Sequence, residues 1–520
     1  MSILTYIAGW PLLAALALVL VPGNYRVIIR AIAVLATFIS AVLAVKMFCT
    51  YGGAPVDADG YRFVDQIPWV TSLGISYHVG VDGLNVGLIL MGAIVAFAAT
   101  LCSWEIQTRE KEFYILLLIM TGGILGAFAS LDLFFFYFLH EFALVPTFIM
   151  IGVWGRGARK NYATFQITLY LSIGALIALL GLIALYLQSG THSFQIPDLI
   201  RQAQANPMAV NAQNIIFPLL LFGFGILVSL WPFHSWAPLG YGVAPAPTAM
   251  LHAGVLKKFG LYAIIRVALP ILPQAAQHWA QFLAWLCIGN IIYVGFVAMR
   301  QKDLNLLIGN SSVAHMGFIF LGIASLNLIG VTGAVLIMVA HGFLAALTFG
   351  LTGYVYQKTG TLEISELGGL CRRLPFIGTL LLMAAMAGCG LPGFANFVGE
   401  ATVFFGAWSQ PTLHVVTVLA VWGALIIGAV YMTRAIRNVL HGPLPEKFAQ
   451  VPDAANVWRK LPYALLLTSL LVFGFFPRLL SDKITPDAKK ITDLVAPAPT
   501  AQARPIRVEI AQVSQSAVQN

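Results

Sequence analysis

Charge is what this sequence has least of. Of 520 residues only 9% are Asp, Glu, Lys or Arg, while 59% are hydrophobic and the mean hydropathy is +0.86. Too little polar side chain is present to cover a water-soluble domain of this length. Cysteine is also scarce: Cys49, Cys102, Cys287, Cys371 and Cys389 are scattered, none in a Cys-x-x-Cys pair, and most lie within or beside apolar runs. They read as small core hydrophobes, which leaves no framework for an iron–sulfur cluster or a zinc site. The first apolar run lacks a basic leader and a small-residue cleavage site followed by a soluble domain, so it is expected to be a membrane span and not a signal peptide. The net charge of +9 does not point to nucleic acid, because the basic residues sit in short loops between apolar runs without aromatic partners.

What the sequence does have is a succession of about fourteen apolar stretches between residues 4 and 477, each long enough to cross roughly 30 Å of hydrocarbon. The expected fold is an all-α polytopic membrane protein. Alternate connections carry Arg26 and Arg30, Arg109 and Lys111, Arg156 to Lys160, Arg300 and Lys302, Lys358 to Arg373, and Arg434 to Lys460, whereas the opposite loops carry little beyond Arg62 and Arg201. The positive-inside rule makes the first set cytoplasmic and places both termini on the other side. The stretch 478–520, rich in Pro, Ala, Gln and Ser, reads as a polar, disordered tail.

Ionisable residues nevertheless interrupt several apolar runs. Glu141 lies between Leu131 and Met150, Lys257 and Lys258 share a second run, His315 and His341 fall in two more, and Glu400 in another. A charged side chain at bilayer depth costs roughly 2.5–3.5 kcal/mol on insertion scales, so it persists where it faces a bundle interior or a hydrated cavity. Such a series suggests an ion path. The structural alternatives are that His140, His234 and His252 pack or hydrogen-bond in the core, that Lys257 snorkels to water, and that Asp132 caps its helix.

Two spans are visibly broken. Residues 215–236 run into Trp231-Pro-Phe-His-Ser-Trp-Ala-Pro, and residues 375–408 contain Gly388-Cys-Gly-Leu-Pro-Gly-Phe-Ala-Asn-Phe-Val-Gly-Glu. Proline and glycine free backbone groups that lipid cannot satisfy, so such breaks belong beside a cavity. The first break lies two helices after the Glu141 span and the second two helices after the His315 span; Asp132 and Asp303 open those two spans. The expected organisation is three N-terminal helices (1–112), two five-helix repeats (113–268 and 278–436), a cytoplasmic loop with a fourteenth helix (437–477) and the tail (478–520). Five spans per unit invert the second copy relative to the first, the broken-helix plan of transporters.

The motifs themselves carry a resemblance. His140-Glu-Phe-Ala-Leu-Val-Pro, Trp231-Pro-Phe-His-Ser-Trp-Ala-Pro, Ala244-Pro-Ala-Pro-Thr-Ala, Ala253-Gly-Val-Leu-Lys-Lys-Phe-Gly-Leu-Tyr, Asn310-Ser-Ser-Val-Ala-His-Met-Gly-Phe and Gly390-Leu-Pro-Gly-Phe-Ala-Asn-Phe-Val-Gly-Glu resemble the antiporter-like membrane subunits of proton-pumping NADH:quinone oxidoreductase, respiratory complex I. The resemblance spans about residues 70–440. Within the family it is nearest the M-type, mitochondrial subunit 4-like branch, since Glu400 stands where the sister subunits resemble one another in having lysine, and no lateral helix is expected after the last span.

The resemblance implies roles. Glu141 is similar to the carboxylate of the family's fifth helix, Lys258 to the lysine of the eighth, His315 and His341 to the relay of the tenth and eleventh, and Glu400 to the acidic exit residue of the broken twelfth. The family's lysine in the broken seventh helix is replaced by Leu227, so Glu141 needs another partner: Lys257, His234 or His140. The resemblance also implies a bacterial inner membrane, sister subunits as partners, and NADH, FMN, iron–sulfur clusters and quinone held by those partners, with no cofactor in this chain. Two other functional classes use the same residues: a subunit of a multi-subunit cation/proton antiporter or membrane-bound hydrogenase, and a membrane platform for a soluble partner enzyme.

Overall fold

The computed structural model describes residues 1–496. The first half of the chain forms α1 (Ile3–Leu20), α2 (Arg26–Thr50), a hairpin of β1 (Arg62–Val70) and β2 (Ile75–Val81), α3 (Val86–Cys102), α4 (Glu110–Ala129), α5 (Leu133–Trp154), α6 (Lys160–Ser189), α7 (Ile196–Ala205), α8 (Val210–Val228), α9 (Trp236–Val243) and α10 (residues 246–271). The second half forms α11 (Pro273–Met299), α12 (Leu304–Ala324), α13 (Leu328–Thr359), α14 (Pro375–Gly388), α15 (Ala395–Trp408), α16 (Pro411–Leu440), α17 (Val457–Phe475) and α18 (Arg478–Val495). Twelve of these are long and apolar enough to cross a membrane; the apolar stretches of α10 and of α14 with α15 are assembled from shorter pieces. The fold is that of a polytopic helical membrane protein.

Burial grades these helices. The apolar window of α13 is wholly buried inside the chain and those of α12 and α3 nearly so, whereas α1, α2, α6 and α17 bury only 39% of theirs. The outer helices therefore present their apolar faces to lipid or to neighbouring chains, and α12 and α13 form the interior where a polar group can be kept from lipid.

Two corners are built alike. Asp132 caps α5 by accepting from the amides of Phe134 (2.9 Å) and Phe135 (3.2 Å), while Leu133 N donates to Phe194 O and Ile196 N to Leu131 O, both at 2.8 Å. Asp303 caps α12 by accepting from Leu306 N at 2.9 Å, while Leu304 N donates to Leu362 O (2.9 Å) and Ile364 N to Lys302 O (2.8 Å). In each corner the following helix ends on a left-handed glycine, Gly190 after α6 and Gly360 after α13, a conformation glycine adopts without steric cost. Burial raises both aspartate carboxyls above their ordinary range, against the pull of the amides they accept from.

Two elements depart from the sequence reading. The antiparallel hairpin β1–β2 interrupts an otherwise helical chain between α2 and α3. The expected disordered tail is ordered over its first part: residues 478–495 form α18, which buries Leu480, Ile484, Ala488, Ile491 and Val495 and packs against α10, α11 and α13. Asp487 on α18 accepts from Gly83 N and from Lys490 Nζ, both at 2.7 Å, fastening the helix to the start of α3. An amphipathic stripe suffices to order this polar segment because a groove of the bundle receives it. The remainder of the expected tail, 497–520, lies outside the described residues.

Candidate functional site

The two breaks are stabilised differently. Helix α8 ends where Ser229 turns left-handed (φ 71°), and the backbone groups freed there are taken up by side chains. Asn290, in a π turn of α11, donates to Ser229 O (3.0 Å) and to Val313 O of α12 (3.1 Å) and accepts from Trp231 N (2.7 Å), while Trp236 Nε1 donates to Ile226 O (3.0 Å). One amide thus ties the first break to the central helix. The second break, between α14 and α15, passes through Gly390 (φ 67°) and Gly393 (φ 99°). A Cβ on Gly390 would stand 2.5 Å from Glu400 Oε2, so glycine is what leaves room for that carboxylate.

Lys258, His341, His315 and Glu400 come together in that order. Lys258 Nζ donates to Ala253 O, inside a π turn of α10, and lies 2.8 Å from His341 Nδ1. The rings of His341 and His315 have centroids 5.3 Å apart. His315 Nδ1 lies 2.8 Å from the Ser311 carbonyl, which only accepts, so Nδ1 carries a hydrogen and the neutral ring presents its Nε2 lone pair to Glu400. That Nε2 is 3.6 Å from Glu400 Oε1, too long for a direct hydrogen bond and short enough for one to form by a small side-chain rotation. All four residues are buried. Two cavities adjoin the line: one of about 20 Å³ touches His315, His341, Ser311 and Ser312, and one of about 10 Å³ touches His315 and Glu400. The first is the size that holds one water. Gly388, at the end of α14, lines both, so the second break does open on polar space.

Electrostatics then limits what the line can hold. At 2.8 Å, Lys258 and His341 could both be cationic only against roughly 6 kcal/mol of repulsion at an effective dielectric of about 20. One excess proton shared between them is the favoured occupancy. Donors and acceptors spaced this way can pass that proton along while each keeps a partner in low dielectric.

Glu141 stands apart from the line. Its side chain is 30% exposed on the outer face of α5, among exposed Phe138, Phe142 and Val145, and its near neighbour is His140, whose Nδ1 lies 3.3 Å from Glu141 Oε1. Of the three substitute partners expected from sequence, His140 alone approaches it. The His140 ring stacks on Phe259 (centroids 4.1 Å apart), and Phe136 and Phe224 pack around the same ring, placing an aromatic layer beside the pair. Lys257 is buried, lies 5.6 Å over the ring of Tyr241, and has no hydrogen-bond partner among the described residues. His234 is half-buried against Tyr293, and Leu227 packs in the core.

Three features escaped the sequence reading. Arg266 and Asp82 form a buried two-pronged ion pair at 2.5 and 2.6 Å, with Arg266 also hydrogen-bonded to the hydroxyls of Tyr61 and Tyr262. Asn290 is the staple of the first break. Tyr431 of α16 is buried with its hydroxyl 3.0 Å from Ser311 Oγ. Arg266 lay in plain view, an arginine in an apolar run, and the insertion cost that flagged Lys258 could have flagged it too.

A polytopic helical bundle that keeps a line of ionisable groups away from lipid and ends it at a broken helix defines a membrane protein of the ion-translocating class. The comparisons narrow the class. The chain belongs to the family described as NADH:quinone oxidoreductase/Mrp antiporter, TM, which matches residues 130–426. It is 34% identical over 479 residues to an NAD(P)H-quinone oxidoreductase chain 4 of Synechococcus elongatus, covering 92% of this chain and 89% of that protein. It is 33% identical over 496 residues to the NAD(P)H-quinone oxidoreductase chain 4 of Gloeobacter violaceus, covering 94% and 92%. Among solved structures, a chain of respiratory complex I from Thermus thermophilus with bound NADH superposes with a TM-score of 0.85 at 27% identity, over 95% of this chain and 100% of that one. A chain of the Mrp complex from Dietzia sp. superposes with a TM-score of 0.82, over 95% and 99%, where 18% identity makes the likeness one of fold.

Proposed function

We propose that this chain is the chain 4-type (M-type) proton-translocating membrane subunit of an NADH:quinone oxidoreductase, in which electron transfer takes place in partner subunits and this chain supplies the protonatable path. The observation that carries the reading is the buried series Lys258, His341, His315, Glu400, each within reach of the next. The neighbouring membrane subunits of such a complex cover the half-exposed outer helices. Glu141 and His140 lie on one of those outer faces, where a carboxylate's charge acts on a sister subunit as readily as on this chain. The two matching corners at Asp132 and Asp303, with five spans between them, support an inverted pair of units over 113–268 and 278–436. The loop charges support cytoplasmic loops at Arg156, Lys302, Lys358 and Arg434 and termini on the opposite side.

Glu400→Gln tests the reading. The amide keeps the size and hydrogen-bonding of the carboxyl and cannot release a proton, so the complex should assemble and lose proton translocation in vesicles. An assembled Gln variant that pumps with unchanged stoichiometry refutes it.

A further inference from the structure

The proton line needs a way in. A polar vestibule of about 270 Å³ opens at the face that carries Lys302 and Arg434, the cytoplasmic face under the orientation proposed above. It is lined by Gln301, Lys302, Glu363, Arg434 and Asn438 together with Tyr431. On its other side Tyr431 borders the small cavity that touches His315 and Glu400. Tyr431 is thus common to the walls of the vestibule and of the cavity on the line.

We propose that this vestibule is the entry for protons and that Tyr431 admits them through its hydroxyl, acting with Ser311 as a two-hydroxyl gate. Tyr431 Oη donates to Ser311 Oγ at 3.0 Å. Ser311 in turn lines the cavity of about 20 Å³ shared with His315 and His341, and its carbonyl receives His315 Nδ1–H. Ser312 Oγ, buried and without a hydrogen-bond partner among the described residues, borders the same cavity. A hydroxyl both accepts and donates. The phenol oxygen takes a proton from vestibule water while its own proton passes to Ser311 Oγ, and the serine releases its proton into the cavity beside His341. Each oxygen ends with one hydrogen, and both groups reset by rotating about their C–O bonds. Charge crosses the wall as a relay with no open channel, so the line stays closed to other ions.

The inference rests on the reading that the buried line carries protons, and its test separates the two. In inside-out vesicles holding the intact complex, Tyr431→Phe removes one oxygen and keeps the ring that seals the wall. Tyr431→Phe and Ser311→Ala should each slow NADH-driven proton uptake on the order of a hundredfold. The double variant should be no slower than either single one, because two members of one relay fail together. Normal uptake by the assembled Tyr431→Phe complex, beside a Glu400→Gln complex that does not pump, overturns the gate and leaves the line standing. Normal uptake by both overturns the gate and the line together. If Tyr431→Phe does not assemble, Ser311→Ala decides by the same readout: lost uptake supports the gate and normal uptake overturns it.

Discussion

Replacing His341 by glutamine isolates the middle of the proposed proton line from its scaffolding. The imidazole holds two links at once, the 2.8 Å contact to Lys258 and the 5.3 Å ring spacing to His315. A glutamine carbonyl can still accept from Lys258 Nζ, so the lysine keeps a partner and the bundle should assemble. The amide cannot take up a proton. A proton passing between Lys258 and His315 would then cross the gap as an unpartnered charge, at an effective cost of several kcal/mol. Even about 3 kcal/mol added to the barrier slows transfer more than a hundredfold. His341→Leu makes the contrast: it leaves Lys258 with Ala253 O as its remaining partner, costs about 1–3 kcal/mol of stability, and should lower the amount of assembled complex as well. The assay is NADH-driven acidification of inside-out vesicles, normalised to the complex detected in the membrane. A His341→Gln complex that assembles and pumps with an unchanged ratio of protons to electrons would refute a line through this residue.

Two further outcomes follow from groups outside the line. Lys257 is a buried amine without a hydrogen-bond partner among the described residues, so Lys257→Met should stabilise the complex by about 1–3 kcal/mol; a lower thermal midpoint of the purified complex would show that the lysine has a partner in the assembly. Asn290→Leu removes three hydrogen bonds from the first break and leaves buried backbone groups unpaired at about 1–3 kcal/mol each, so the complex should lose stability or fail to accumulate, as judged by native gels of solubilised membranes; normal accumulation would contradict the staple.

The sequence made some of this legible, for a physical reason. An ionisable residue in an apolar run is costly wherever that run ends up, so Lys258, His315, His341 and Glu400 could be picked out without knowing the fold. Proline and glycine marked both breaks on the same footing. The order of the line could not be read, because His341 reaches Lys258 across 83 residues and only helix packing places it ahead of His315. Asn290 looked like any polar residue on a span until Ser229 and Trp231 came round to meet it. The helix α18 was hidden differently: its apolar positions repeat at helical spacing, and a polar composition with Pro486 outweighed that signal. Glu141 was expected to need a partner, and the candidate beside it is His140, held by its stacking on Phe259.

The π turns of α10 have a consequence for aim. An ordinary helix advances 100° per residue, so a rod carrying Lys258 and Arg266 would fix the angle between them by count alone. Each π turn, at His252–Leu256 and at Ile264–Ala268, slips one residue into the winding and resets the phase of everything beyond it. The first slip lies just before Lys258, which meets His341; Arg266 sits within the second, where it meets Asp82 and the tyrosines. One length of chain thus serves two bearings, and deleting a single residue from the first turn would swing Lys258 out of alignment while leaving the helix itself unbroken.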